Sequence, residues 1–477
     1  MFAYTALFLR FQPFDKYSYE TFLCSYTLAV QSNITLKLIF MSKLSSVIYV
    51  ILIVLLSSIS ACKKTDFSQP SEVIVASAPD QSRDNNTREA KRVYVSNIVQ
   101  LYISINDPSN AGSTLVLAPG TYRLNPNHPK AGRLELQHNM SLIGQRGNAS
   151  AVVIDVSDLP ATSYVVAPTP TYPSQLRTGP IRIGNGYNAI EWITFTNNPS
   201  NIIRTMIITD IVAKQNASDP APLAQVRIAH TIIKNSSIGL NIQIRDAASN
   251  GRVVEAEVEN NEILENTQPQ FGSGVQIQNS FGVSGALIKV NLKGNYIHGN
   301  RQGLNLFNSS AAGNNRIIAR SISDRLEDNG LGLVLTSGLN TVGGAALVTG
   351  NSIDFEANAT SIRNNGGLPA PLNNYIAGGV FIAGGNVGKL APSTGVPGTL
   401  FNNTVIAVFK GSRIEDNLGS SQINVFGAYS SLPSSVPAGS YNSAILNLIG
   451  LSRQATVNAV ASFPVEPAGT NTVSVQQ

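Results

Sequence analysis

Polar and apolar residues alternate strictly over several separate stretches of the chain. "RVVEAEVEN" from Arg252, "ALIKVNLKGN" from Ala286 and "TVIAVFKGS" from Thr404 each place apolar side chains on every second residue. That period marks strands with one buried face. A second set of alternating segments opens on glycine: "GLNIQIR" at 239, "GVQIQN" at 274, "GLNLFN" at 303, "GLVLTS" at 332 and "GVFIAG" at 379. Helical spacing occurs near residue 100, where Ile98, Leu101, Tyr102 and Ile105 share one face behind Ser96 as an N-cap. After it, "STLVLAPGTYRL" reads as strand, Pro-Gly turn and strand. The pattern predicts an all-β protein with one short N-terminal helix.

The segments recur in a fixed order. "NYIHGNRQGLNLFNSS" from Asn295 is echoed by "DRLEDNGLGLVLTSG" from Asp324 and by "SRIEDNLGSSQINVFGA" from Ser412. Aligned on one asparagine, the copies superpose Asn235, Asn266, Asn300, Asn329, Asn365 and Asn417, at steps of 31, 34, 29, 36 and 52 residues. Three residues earlier stand Ile232, Ile263, Ile297, Leu326, Ile362 and Ile414. Each repeat holds about three short strands and cannot cover its own apolar face, so repeats must stack. Strands recurring in one direction pair in parallel with their counterparts one coil away, at about 4.8 Å. Roughly a dozen coils, about 60 Å in length, are expected at that spacing. A left-handed turn suits asparagine, and its amide can bond the next asparagine along the axis.

From residue 93 to about 475 the chain resembles the right-handed parallel β-helix proteins of the pectin-lyase-like superfamily, including the capping helix and the "LAPGTYRL" start. The resemblance implies a single-stranded right-handed solenoid. It brings in pectate lyases, polygalacturonases, other polysaccharide lyases, tailspikes and adhesins as functional relatives. The catalytic runs of two of these classes are missing. There is no Asp-Asp pair, the nearest approach to Gly-His-Gly is Ile297-His298-Gly299, and the single tryptophan, in "AIEWITF", is followed by Ile193 and Thr194 rather than by Ile-Asp-His.

The N-terminus changes the charge reckoning. "MSKLSSVIYVILIVLLSSISAC" from Met41 has a basic start, an apolar run from Val47 to Leu56 that is short for a membrane span, and small residues before a cysteine. Ile59-Ser60-Ala61-Cys62 resembles a bacterial lipobox, which implies lipidation at Cys62, and Lys63 and Lys64 after it point to the outer membrane. Residues 1–40 then form an upstream mis-start segment, 41–61 a signal peptide, 62–92 a flexible tether rich in charge, Ser, Pro and Asn, and 93–477 the β-helix. Without residues 1–61 the chain has 29 basic and 26 acidic residues, a formal charge of +3, too weak for a nucleic-acid partner. One cysteine remains, with no disulfide.

Two groups of residues carry candidate chemistry. In "DRLED", Asp324, Glu327 and Asp328 lie within five residues with Arg325 among them, joined across coils by Tyr296, His298, Arg363, Arg413, Glu415 and Asp416. Acid, base and cation in reach of one another suit glycoside hydrolysis or β-elimination, with Glu327 and Asp328 as acid and base and Arg325 stabilising charge. Cross-coil ion pairs on a solvated edge are the other reading, and the favoured one. On the strands after the asparagine turn, the outward columns read Asn241, Gln276, Asn305, Val334, Phe381 and Asn424, then Gln243, Gln278, Phe307, Thr336, Ala383 and Phe426. Gln276, Gln278, Asn305, Phe307, Phe381 and Phe426 are the expected ligand-binding set, exposed rings stacking on sugar faces and amides bonding hydroxyls. A cover of loops over these rings is the competing expectation.

No cofactor is indicated. "GNGYNA" from Gly184 has the spacing of a dinucleotide loop but leads into a strand, so no nucleotide is expected. His128, His138 and His230 are too dispersed to bind a metal. The sequence therefore predicts an envelope-anchored β-helix lipoprotein, a non-catalytic glycan-binding or structural module whose partners are a surface glycan and, through its lipid, a membrane. The alternative is a polysaccharide lyase or glycoside hydrolase with an atypical site.

Overall fold

The computed structural model describes residues 91–477, except 161–163, 167–174, 178, 199–204, 212–223, 246, 268–271, 281, 310–312, 341–347, 367–377, 388–399, 420, 431–440 and 464–470. The expected signal, Cys62 and most of the tether lie outside these residues.

Three parallel sheets form the body. Sheet A has 12 strands, from Arg92–Val95 to Thr472–Gln476; sheet B has 9, from Gly120–Arg123 to Arg413–Glu415; sheet C has 10, from Leu134–Glu135 to Val457–Phe463. Each coil visits them in the order A, B, C, as in Leu287–Lys293, Tyr296–His298 and Gln302–Ser309. The chain is a right-handed parallel β-helix. One small antiparallel pair, Tyr164–Val166 with Gln175–Arg177, stands outside the three sheets.

Alternation in sequence becomes alternation in burial. In Val253–Glu259 every second residue is buried, and the same holds in Ser352–Asn358 and Thr404–Lys410. Identical chemistry stacks from coil to coil: Ile263, Ile297, Leu326, Ile362 and Ile414 form one column on sheet B, all essentially inaccessible. Val275, Leu304, Leu333, Val380 and Ile423 form another on sheet C. Burying each such side chain contributes roughly 2 kcal/mol before ordering entropy is subtracted.

The corners hold polar ladders, and here the structure corrects the sequence reading in two ways. Left-handed backbone and side-chain ladder are divided between neighbours. Glu265, Gly299, Asp328, Asn364 and Asp416 have φ between 55° and 62°, and the ladder asparagines Asn266, Asn300, Asn329, Asn365 and Asn417 follow them. In the first copy the left-handed residue is Asn235 and the ladder position is Ser236, because Ile233, not Ile232, pairs with Ile263. The ladder runs Asn266 to Asn300 (2.8 Å), Asn329 (3.1 Å), Asn365 (3.1 Å) and Asn417 (2.8 Å), each Nδ2 donating to the Oδ1 of the next coil.

Two further ladders occupy the other corners. Between sheets C and A, Asn315, Asn351, Asn403, Asn442 and Asn471 repeat the same bond. Between A and B the row reads Thr231, Asn261, Asn295 and Asp324, continued by Thr360 and Ser412. These bonds satisfy backbone N–H groups as well, which buried corners require.

The glycine that opens each sheet C strand answers to space. A Cβ on Gly303 would lie 2.6 Å from the Gly332 carbonyl oxygen and 2.9 Å from Asn329 Nδ2, and Gly239, Gly274, Gly332 and Gly379 are similarly crowded. At the N-terminal end the helix spans Ile98–Asn106, with Leu101, Tyr102 and Ile105 in the core. Its N-cap is Asn97, whose side chain accepts from the Gln100 N–H at 3.0 Å, rather than Ser96. Ser96 instead donates its own N–H to Gln100 Oε1 at 2.9 Å.

Candidate functional site

Sheet B carries the charged cluster on its outer side. Parallel register places Tyr296, Arg325, Ser361 and Arg413 in one column and His298, Glu327, Arg363 and Glu415 in the next. Arg325 donates to Glu327 at 2.7 Å and lies 4.1 Å above the Tyr296 ring. Tyr296 stacks on His298 at 4.0 Å, and His298 Nε2 is 3.3 Å from Glu262. Arg363 donates to Glu327 at 2.9 Å and Ser361 at 3.0 Å. Of the sequence candidates, register brings Tyr296, His298, Arg325, Glu327 and Arg363 together, whereas Asp324 lies in the corner ladder, Arg413 pairs with Glu415 and Asp416 pairs with Arg453.

Their chemistry is more specific than a solvated edge. Glu327 is 3% exposed. Burial pushes its carboxyl upward, but Arg325, Arg363 and Ser361 outweigh burial and hold it below the usual glutamate range. It is a committed anion with its oxygens occupied, a poor proton donor or acceptor for a substrate. Asp328 is exposed at the left-handed corner and makes no ion pair among the described residues.

The outward columns of sheet C are where register predicted, with Gln276 beside Asn305 and Gln278 beside Phe307. The rings, however, are not exposed: Phe307 is 9% accessible, Phe381 4% and Phe426 4%. The expectation of exposed aromatics is corrected. Phe381, Phe426 and Tyr429 form their own cluster, with ring centroids 5.1 to 5.6 Å apart, joined by Val334 and Ala383. The amides bond one another, Gln278 Nε2 reaching Gln243 Oε1 at 2.6 Å and Asn305 Nδ2 reaching Gln302 Oε1 at 2.8 Å. Outward-facing Gln276, Gln278, Asn305 and Phe307 still keep 7 to 9% exposure, whereas the inward Val275, Ile277, Leu304 and Leu306 keep none. The loops expected as a cover, the Gly/Pro-rich stretches 366–378, 384–400 and 428–441, lie largely outside the described residues.

A third feature went unread in the sequence. On the outer side of sheet A near its N-terminal end is a cleft of about 620 Å³, bordered by Arg92, Arg146, Glu191, Trp192, Arg227 and His230 among others. Arg227 is held by Glu191 (2.9 Å), Glu257 (3.2 Å) and Glu259 (2.7 Å). The Trp192 and His230 rings stack at 4.0 Å, 5° from parallel. Burial chiefly lowers the His230 pKa. These residues come from separate coils, and no spacing in the sequence announces them.

Other sequence candidates are structural. "GNGYNA" opens the strand Gly186–Glu191, with no helix behind it. His128 stacks on Tyr102 at 3.9 Å. Among the described residues no group of three or more His, Cys, Asp or Glu side chains could hold a metal ion.

No family model matches the chain. No curated protein matches it either. Among solved structures it is similar to the A-modules of two Azotobacter vinelandii mannuronan C-5 epimerases. The AlgE4 module is 14% identical over 80% of this chain and 100% of that one, with a TM-score of 0.38. The AlgE6 module is 18% identical over 79% and 93%, with a TM-score of 0.36. It is also similar to pectate lyase Pel9A, 13% identical over 80% and 82%, with a TM-score of 0.30. The three parallel sheets of this chain themselves define the fold.

Proposed function

We propose that the protein is a lipid-anchored β-helix of the bacterial cell envelope that binds a polysaccharide without cleaving it. The state of Glu327 carries this reading: the carboxylate held between Arg325 and Arg363 on sheet B is buried, ionised and bonded to both of them and to Ser361. Such a group holds coils together and is not free to move a proton. Binding is assigned to sheet C, where amides and rings form a polar-aromatic floor with residual solvent access. The anchor is Cys62: its lipobox-like run supports lipidation, and Lys63 and Lys64 after it support the outer membrane as its site.

The test is retention of the full chain on immobilised acidic and neutral polysaccharides, read beside the release of fragments. Retention should fall several-fold on Phe307→Ala with Gln276→Ala and stay unchanged in Glu327→Gln with Asp328→Asn. Unsaturated or reducing-end fragments released by the wild type, and lost in the carboxylate variant, would make the protein a lyase or hydrolase instead. Labelling by fatty acid through Cys62, absent in Cys62→Ser, tests the anchor separately.

A further inference from the structure

The sheet A cleft has the make-up of a ligand site, and its most unusual feature is backbone strain. At the corner between sheets A and B one position is left-handed in coil after coil: Trp192, His230, Asn260, Gly294, Ser323, Ala359, Gly411 and Gly450, with φ between 51° and 64°. Four of these are glycine or asparagine, which tolerate that conformation, and two more, Ser323 and Ala359, carry only small side chains into it. The other two are bulky aromatic rings, in adjacent coils, stacked on each other. A left-handed tryptophan is strained backbone, and such outliers concentrate at functional sites.

The stack is open on one side. His230 covers one face of the Trp192 indole. The residue one coil earlier is Gly144, whose N–H bonds the Glu191 carbonyl and which has no side chain to cover the other face. Trp192 and Gly144 both border the cleft. Thr114 and Arg227 border the cleft, and the small residues Ser141 and Ala189 stand between them in one outward column of sheet A.

Charge is divided across this hollow. Arg227 is neutralised by three glutamates. Arg92 and Arg146 also border the cleft and are exposed, and among the described residues their side chains make no ion pair or hydrogen bond. A flat aromatic face beside two guanidiniums with all their donors unused fits a pyranose ring bearing a negative group. Glu191, which also borders the cleft, offers an acceptor for sugar hydroxyls. We infer that this cleft is a second saccharide site, separate from sheet C, that takes an anionic pyranose unit, its ring on Trp192 and its carboxylate or sulfate between Arg92 and Arg146.

Trp192 is the single tryptophan of the chain, so its fluorescence reports on this site alone. The full-length protein is titrated with a hexuronate trisaccharide, a sulfated trisaccharide, a neutral trisaccharide and inorganic sulfate. A saturable emission change is expected with one or both of the anionic sugars, which identifies the anionic group, and at least about tenfold weaker binding with the neutral one. Arg92→Ala with Arg146→Ala should weaken the anionic sugar about tenfold, and both residues are exposed enough to leave the fold intact. No saturable change with either anionic sugar, equal affinity in the double variant, equal affinity for the neutral sugar, or sulfate binding as tightly as the sugars would each overturn the assignment. The sheet C variant Phe307→Ala with Gln276→Ala should titrate like wild type, so failure of one site does not count against the other.

Discussion

Asn295 gives two hydrogen bonds to Asp324, from its backbone N–H at 2.7 Å and from its side-chain Nδ2 at 2.8 Å, both to Oδ1. The other oxygen, Oδ2, accepts from Ser321 at 2.6 Å, and Ser321 Oγ is 2.9 Å from Thr360 Oγ1. A carboxylate thus occupies a ladder position that holds neutral side chains in the coils on either side, at 1% exposure.

Burial pushes the Asp324 carboxyl up to about 6, against the pull of these hydrogen bonds. The folded state therefore binds a proton that the unfolded chain releases near pH 4, and stability should fall as pH rises from about 4 to about 6. The loss is on the order of 3 kcal/mol by pH 7. Asp324→Asn keeps the acceptor for Asn295 and can donate to Ser321, so it should be the more stable protein at neutral pH and nearly equal to wild type at pH 4. Thermal midpoints of the two proteins across this range check it; a difference that does not vary with pH would exclude the mechanism.

Glu327 has the opposite sign. Its carboxyl is held below the normal range, so its contribution is present at neutral pH and is lost as pH falls through the folded value. Glu327→Ala leaves Arg325 and Arg363 without their acid and should cost about 2 to 4 kcal/mol at pH 7, within reach of denaturant melts. The cost should shrink in strong acid.

Asn329 makes four bonds, accepting from Asn300 N–H (3.0 Å) and Nδ2 (3.1 Å) and donating to the Ile297 carbonyl (3.0 Å) and to Asn365 (3.1 Å). Asn329→Ala strands buried donors in the coils on both sides and should cost about 3 kcal/mol or more. Asn471, in the last coil described, accepts from Asn442 N–H at 3.0 Å. Asn471→Ala should cost less than half as much, and hydrogen exchange should show the loosening confined to that end.

Two glycines separate crowding from backbone strain. Gly303→Ala drives a methyl into the Gly332 carbonyl and Asn329, and should destabilise by about 2 to 3 kcal/mol. Gly411, at φ 53°, has open space around it, so Gly411→Ala should cost only about 1 kcal/mol of left-handed strain. Equal melting temperatures in the two variants would contradict this account.

These particulars show which levels of the structure can be read without coordinates. Ile263, Ile297, Leu326, Ile362 and Ile414 align in sequence as they pair in space, because one inward column tolerates only aliphatic residues. The Asn235 copy slipped by one, since Ser236 can serve the ladder while Asn235 takes the strained backbone, and identity alone could not tell the two jobs apart. The ladder through Thr231, Asn295, Asp324 and Ser412 escaped notice because four side-chain types fill one role. Burial of Phe381 and Phe426 escaped because alternation tells which side a residue faces and says nothing of what lies over it. The Trp192 cleft joins residues from Arg92 to His230 with no common spacing.

Direction in the ladders has an electrical consequence. In the three corner rows every amide-to-amide bond between coils runs one way, the Nδ2 of the earlier coil donating to the Oδ1 of the later one. Their dipoles therefore align head to tail, as peptide units do in an α-helix, with the positive pole toward the later coils. In the row through Asn261 and Asn295 that pole ends on Asp324. The carboxylate stands to this row as an acidic residue stands to a helix N-terminus, and a stack of side chains, with no helix in it, acquires a macrodipole capped by its own counter-charge.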